Sequence, residues 1–165
     1  MQVVAGVDLG GTAVNYTLLT VQDERFLIEG LFEHPARSKE GPAVCLQQIE
    51  DGLMLAIDRA GISIDDVLVV GLDTPGPATA AGVLSARGST NFVHADWAGF
   101  DIRDGLAKRL HKPVVYLNDG NAGALWGHFA IFGASSKETS ISAIVGTGLG
   151  GGVVLQARFW REAGR

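Results

Sequence analysis

Cysteine is almost missing: Cys45 stands alone, which excludes an intrachain disulfide framework and a four-cysteine zinc site. Positive charge is not in excess, because 13 basic against 18 acidic residues leave a net charge of −5, and this argues against a nucleic-acid surface. No basic segment opens the chain, since Met1 leads straight into Gln-Val-Val-Ala-Gly, and no signal peptide is expected. A long hydrophobic run is lacking too. The uncharged stretch after Ile141 is broken by five glycines in the seven positions from Gly146 to Gly152 and is too short to span a bilayer. The expectation is a soluble, cytoplasmic protein without nucleic-acid or membrane partners. No G-x-x-x-x-G-K-[ST] occurs, so a P-loop is excluded, and there is no repeat at solenoid periods. His34, His94, His111 and His128 are scattered without metal-ligand spacing and read as solvated or structural residues.

What is present is a globular composition, 47% hydrophobic and 19% charged over 165 residues, enough for one domain or for a domain and part of a second. Proline is scarce at 5 residues, whereas glycine, at 23, is roughly twice its average usage and falls in short separate clusters. Val3–Asp8, Val14–Leu19 and Arg25–Phe32 read as three strands in an antiparallel meander. Pro42 and Gly61 bracket a helix whose Leu46, Ile49, Leu53, Ile57 and Ala60 recur at spacings of three and four. Cys45 lies beside that face as an inert core thiol. Val67–Leu72 and Val114–Leu117 are short apolar runs typical of buried strands, with a helix from about Asp101 to Leu110 between them. A helix from Asn118-Asp119 to Phe132 and strands at Ile141–Val145 and Val153–Leu155 complete the order. Lys108-Arg109 reads as a solvated helix face, and Trp97, Trp126 and Trp160 as packing residues. The weakest composition break, Ala134–Glu138, has linker character, and two final strands without a third or a covering helix make the chain look cut. A meander feeding βαβ crossovers predicts an α/β domain with a mixed sheet covered by helices.

Three motifs carry chemistry. Asp8-Leu9-Gly10-Gly11-Thr12 sits at the tip of the first hairpin, where two glycines let backbone N–H groups approach an anion, Thr12 adds a donor and Asp8 suits a magnesium ion held through water. A plain Gly-Gly turn with an incidental acid explains it equally. Asn118-Asp119 follows a buried strand and opens a helix, the place where ligands collect in open α/β sheets. Asp119 is then placed as a general base and Asn118 as a hydrogen-bond partner for a polar substrate, while the competing explanation is a local N-cap. Gly146-Thr147-Gly148-Leu149-Gly150-Gly151-Gly152 contains G-x-G-x-x-G, but Val153-Val154-Leu155 continues it as strand rather than helix, so a dinucleotide site is rejected and a second glycine hairpin remains.

The two hairpins and the Asn-Asp between them resemble the phosphate-binding hairpins and catalytic aspartate of the actin-like ATPase (ribonuclease H-like) fold. Gly6–Thr12, Gly71-Leu72-Asp73-Thr74-Pro75-Gly76-Pro77, Leu117-Asn118-Asp119-Gly120-Asn121-Ala122 and Gly146–Gly152 together are similar to the ROK family of repressors and sugar kinases. The resemblance spans residues 3 to about 157. It implies a mixed sheet with helices on both faces, an N-terminal lobe over 1–117, and a catalytic-loop helix with the start of an incomplete second lobe over 118–165. It implies ATP and Mg²⁺ as cofactors, a small-molecule sugar as partner and hexose phosphorylation as activity, with little or no turnover expected of this N-terminal portion alone, and it allows a homodimer. Asp119 would be the catalytic base; Gly76, Asn91 and Asn118 would join it at the sugar; Gly10, Gly11, Thr12, Thr147 and Gly148 would cradle the ATP phosphates; Asp8 would position Mg²⁺. A sugar-sensing regulator without its DNA-binding domain and a non-kinase actin-like ATPase are the alternatives. Two departures stand out: Ala13 replaces the basic residue usual after Gly-Gly-Thr, and no Glu-x-Gly-His sugar motif is present.

Overall fold

A computed structural model describes residues 1–85, 91–133, 135–145, 149–155 and 158–159. The chain divides into two compact units, Met1–Tyr116 and Leu117–Arg165.

In the first unit, β1 (Val3–Leu9), β2 (Ala13–Thr20) and β3 (Phe26–Pro35) form the antiparallel meander. Helix α1 (Pro42–Arg59) then carries the chain back so that β4 (Val67–Thr74) lies parallel to β1. After α2 (Ile102–Leu110), β5 (Val114–Asn118) adds the last strand of a mixed sheet ordered β3-β2-β1-β4-β5. Strict alternation explains the layering. Along β1, Val3, Ala5, Val7 and Leu9 are buried, and Val14, Tyr16 and Leu18 do the same on β2. Against them α1 sets Leu46, Ile49, Leu53 and Ile57, the stripe its spacing predicts, together with Cys45 and Ala56. Pro42 occupies the first turn, and Gly61, at φ +68°, takes the left-handed turn that ends the helix.

One side chain crosses this layer. Tyr16, fully buried on β2, donates its hydroxyl to the carbonyls of Ile49 (3.1 Å) and Gln48 (3.3 Å) on α1. It finds room there because residue 52 is glycine: a Cβ at Gly52 would lie 2.6 Å from Tyr16 Cζ.

The structure corrects several sequence expectations. Strand β3 runs past Phe32 to Pro35, a position proline tolerates because β3 is the edge strand of this sheet among the described residues. Arg109 is not simply a solvated residue. Its Nε reaches Glu50 Oε2 at 2.5 Å and its Nη2 bonds Gln47, tying α2 to α1 across 59 residues of sequence, while Lys108 stays outside and pairs with Asp104.

In the second unit, α3 (Asp119–Phe132) packs on β6 (Ser140–Val145) and β7 (Leu149–Leu155), and β8 (Arg158–Phe159) extends this antiparallel sheet in the order β6-β7-β8. The third strand was not expected. Nor was the start of β7, which takes in Gly150, Gly151 and Gly152 instead of leaving them in a turn. The reason is close helix–sheet approach. A Cβ at Gly120 would stand 3.1 Å from Gly151 N, and one at Gly152 would meet Ala124 Cβ at 2.7 Å, so side chains here would push α3 off the sheet. His128 is buried in this unit with Nδ1 2.8 Å from Ser140 Oγ.

Candidate active site

The carboxyl ends of β1 and β4 bring part of the expected site together within the first unit. Asp8 is exposed near the end of β1, opposite Asn15 on β2 and in register with Asp73 on β4. Asn15 donates from Nδ2 to Asp8 Oδ2 at 3.3 Å, which fixes that carboxylate beside the turn. Sequence inspection missed Asn15 and Asp73, because only the pairing register puts them next to Asp8.

The turn itself is tight. Gly10 N–H donates to Ala13 O at 2.9 Å, and Ala36 N–H donates to Thr12 O at 3.0 Å, pinning the turn to the segment that leaves β3. A Cβ on Gly10 would lie 2.9 Å from the Ala13 carbonyl oxygen. On Gly11 it would lie 2.7 Å from Asn91 Oδ1 and 2.9 Å from Asn91 Nδ2. The missing side chain at Gly11 is therefore what lets the Asn91 amide rest on the turn. Gly11, from the first glycine motif, and Asn91, implied only by the family resemblance, are 80 positions apart in sequence and are neighbours.

Gly76 lies in the loop after β4 at φ +85°, a left-handed conformation that favours glycine. That loop is anchored at its base by the buried pair Thr74 Oγ1 and Tyr116 hydroxyl, 2.8 Å apart. It continues into a small hairpin in which Ala78 bridges Leu84.

In the second unit, Asn118 is the N-cap of α3. Its Oδ1 accepts the Gly120 N–H at 3.1 Å, and Asp119 Oδ1 accepts the same N–H at 2.6 Å. The local capping explanation thus holds for Asn118 and extends to Asp119 Oδ1, while the Asp119 side chain stays exposed as the first residue of the helix. Thr147 and Gly148 lie outside the described residues, as does Trp160.

For a divalent cation, the first unit offers hard oxygen donors at Asp8 and its register partner Asp73, a set suited to Mg²⁺ that keeps several waters. Among the described residues no group of three or more His, Cys, Asp or Glu side chains is placed to hold a metal by itself. No helix among them is long and apolar enough to cross a membrane.

The sequence pattern of the ROK family matches residues 4–164. The chain belongs to the ROK family. Among its relatives is a glucokinase of Halalkalibacterium halodurans, 31% identical over 153 residues, an alignment covering 90% of this ROK chain and 43% of the relative. A xylose repressor of Caldicellulosiruptor bescii is 26% identical over 165 residues, covering 97% of the chain and 38% of the repressor. Among solved structures, the ROK hexokinase of Thermus thermophilus superposes with a TM-score of 0.75 at 30% identity, over 98% of this chain and 49% of that one. A ROK glucokinase of Streptomyces griseus, solved with glucose and AMPPNP, gives a TM-score of 0.68 at 25% identity, over 97% and 46%. The ROK chain therefore spans less than half the length of these curated relatives. Its fold is the mixed α/β architecture of the actin-like ROK sugar kinases.

Proposed function

We propose that this chain is the part of an ATP-dependent hexose kinase that carries the sugar-side loop and the first phosphate turn. The reading divides it into an N-terminal actin-like lobe, residues 1–117, and a catalytic-loop helix with the beginning of a second lobe, residues 118–165. The observation that carries it is the packing of the Asn91 amide on Gly11, which sets a sugar-type hydrogen-bonding group directly beside an anion-type turn. The glucokinase and hexokinase relatives support the choice of hexose over other alcohols.

Transfer of a phosphoryl group needs a hydroxyl held in line, an acceptor for its proton and charge neutralisation on the phosphates. In this reading Asp119 takes the proton of the attacking hexose hydroxyl, and its exposure leaves the carboxylate accessible for that role. Asn91 and Asn118 hydrogen-bond sugar hydroxyls, and Gly76 lets backbone approach the ring. Gly11 and Thr12 offer donors to ATP phosphates, Gly10 shapes the turn with its own N–H spent on Ala13 O, and Thr147 and Gly148 supply a second set of donors. Asp8, steadied by Asn15, would hold Mg²⁺, which supplies neutralisation of phosphate charge when bound.

The test is a coupled kinase assay over a hexose panel, run on this segment within a protein of its relatives' full length, with and without Asp119→Asn; the 165 residues by themselves are expected to turn over no hexose. Phosphorylation of at least one hexose that disappears in the variant supports the reading. Hexose binding with no turnover in any ATP condition points instead to a sugar-sensing regulator, which the likeness to the xylose repressor favours. Nucleotide hydrolysis indifferent to every sugar would indicate a non-kinase actin-like ATPase.

A further inference from the structure

Trp97 is almost completely buried, at 1% exposure, although the residues on both sides of it are exposed. Its indole donates from Nε1 to Ser38 O at 2.7 Å. Its ring meets Phe92 edge-on at a centroid distance of 4.8 Å and Phe100 at 5.5 Å. These contacts complete a circuit. Thr12 O accepts from Ala36 N–H, Ala36 is two residues from Ser38, Ser38 O accepts the indole N–H, and the indole packs on Phe92. Phe92 follows Asn91, whose amide returns to Gly11 beside Thr12. All of these residues belong to the first unit.

We infer that Trp97 is a positioning residue: through the Ser38 carbonyl and the Phe92 ring it holds the Asn91 amide on the Gly10–Thr12 turn, so that the sugar-side group and the phosphate turn keep one fixed geometry. The buried N–H bonded to a backbone carbonyl gives the ring one orientation, and the two edge contacts transmit it to the segment carrying Asn91. The sugar-facing part of this inference rests on the function proposed above. The mechanical linkage does not.

The experiment is NMR of the isotopically labelled full chain, without ligand, comparing wild type with Trp97→Phe and Phe92→Leu. The first removes the N–H and keeps an aromatic ring; the second removes the edge contact and keeps the N–H, and it carries the test where Trp97→Phe does not fold. In both variants the Asn91 side-chain amide and the Gly11 backbone amide shift. Amide exchange at Ala36 accelerates about tenfold, as expected for loosening one buried hydrogen-bonded link. The central β1–β2 amides keep their protection. Asn91 and Gly11 resonances that stay in place in a folded variant overturn the linkage. A glucose titration then tests the site separately. Glucose that perturbs Asn91 in wild type, with roughly tenfold weaker binding in Trp97→Phe, supports the joint reading. Glucose that leaves wild-type Asn91 unmoved overturns the sugar assignment, while the ligand-free shifts alone still decide the linkage.

Discussion

Replacing Gly52 by alanine reverses an ordinary rule. In an exposed helix interior this substitution gains about 1 kcal/mol, because glycine loses more backbone freedom on folding. In α1 the new methyl group would enter the Tyr16 ring, coming within 2.6 Å of Cζ and 2.7 Å of Cε2 and closer still to the hydroxyl. The ring cannot swing aside cheaply, for it is wholly buried and bonded to the Ile49 and Gln48 carbonyls. Overpacking of this kind costs about 2 kcal/mol, and loss of the hydroxyl's hydrogen bond costs about 1 kcal/mol more. Against the helical gain, the net destabilisation is about 2 kcal/mol, a fall in Tm of roughly 10 °C for a unit of this size. Thermal and urea unfolding followed by circular dichroism measure it directly. Gly127 in α3 provides the control, since a Cβ there meets nothing within 4 Å, and Gly127→Ala is expected to leave its unit unchanged or stabilise it by up to about 1 kcal/mol. A Gly52→Ala protein as stable as wild type would refute the packing argument. Tyr16→Phe added to Gly52→Ala recovers only part of the loss, because the Cζ contact persists.

The remaining predictions concern the site and the thiol. Within a protein of the relatives' full length, Asp119→Asn removes phosphorylation while sugar affinity, read by calorimetry, stays within a few-fold; an equal loss of both would make Asp119 a binding residue rather than a base. Gly11→Ala displaces the end of the Asn91 side chain rather than backbone, so unfolding free energy changes by less than about 1 kcal/mol while hexose binding weakens; the opposite pattern would separate Asn91 from the sugar. Burial pushes the Cys45 thiol up to about 12. A pKa raised on folding means that its contribution is complete below the unfolded value of about 8.5 and is lost as pH rises toward 12, because the unfolded chain releases the proton first. Stability therefore falls between pH 9 and 11 by up to about 1.4 kcal/mol per unit from this group, and urea titrations of Cys45→Ala show a shallower decline. Burial raises the Tyr16 hydroxyl in the same direction, so part of the alkaline slope survives in that variant.

Local signals made most of the framework legible. Pro42 and Gly61 marked α1 to within a residue or two, and the apolar stripe between them identified the face that meets the sheet. Asn118-Asp119 was correctly placed at a strand-to-helix junction, with capping and chemistry both left open; in the structure Asn118 is the N-cap, and the exposed Asp119 accepts the same Gly120 N–H. What escaped notice depends on partners distant in sequence. Arg109 could not be told from Lys108 until α2 lay against Glu50. Gly150–Gly152 looked like turn because their compactness serves the approach of Gly120 and Ala124, which no local pattern announces. Trp97 was legible as a packing residue, but its donor role needed the Ser38 carbonyl. Asn91 entered only through family resemblance, and its contact with Gly11 emerged only from the folded chain.

With its one sulfhydryl enclosed between α1 and the sheet, the protein carries a built-in reporter of its own opening. A thiol-directed dye has nowhere else to attach, so the pace of labelling measures how often the first unit breathes far enough to admit reagent. Read with and without sugar or nucleotide, that single clock would register ligand-induced tightening without any need for turnover.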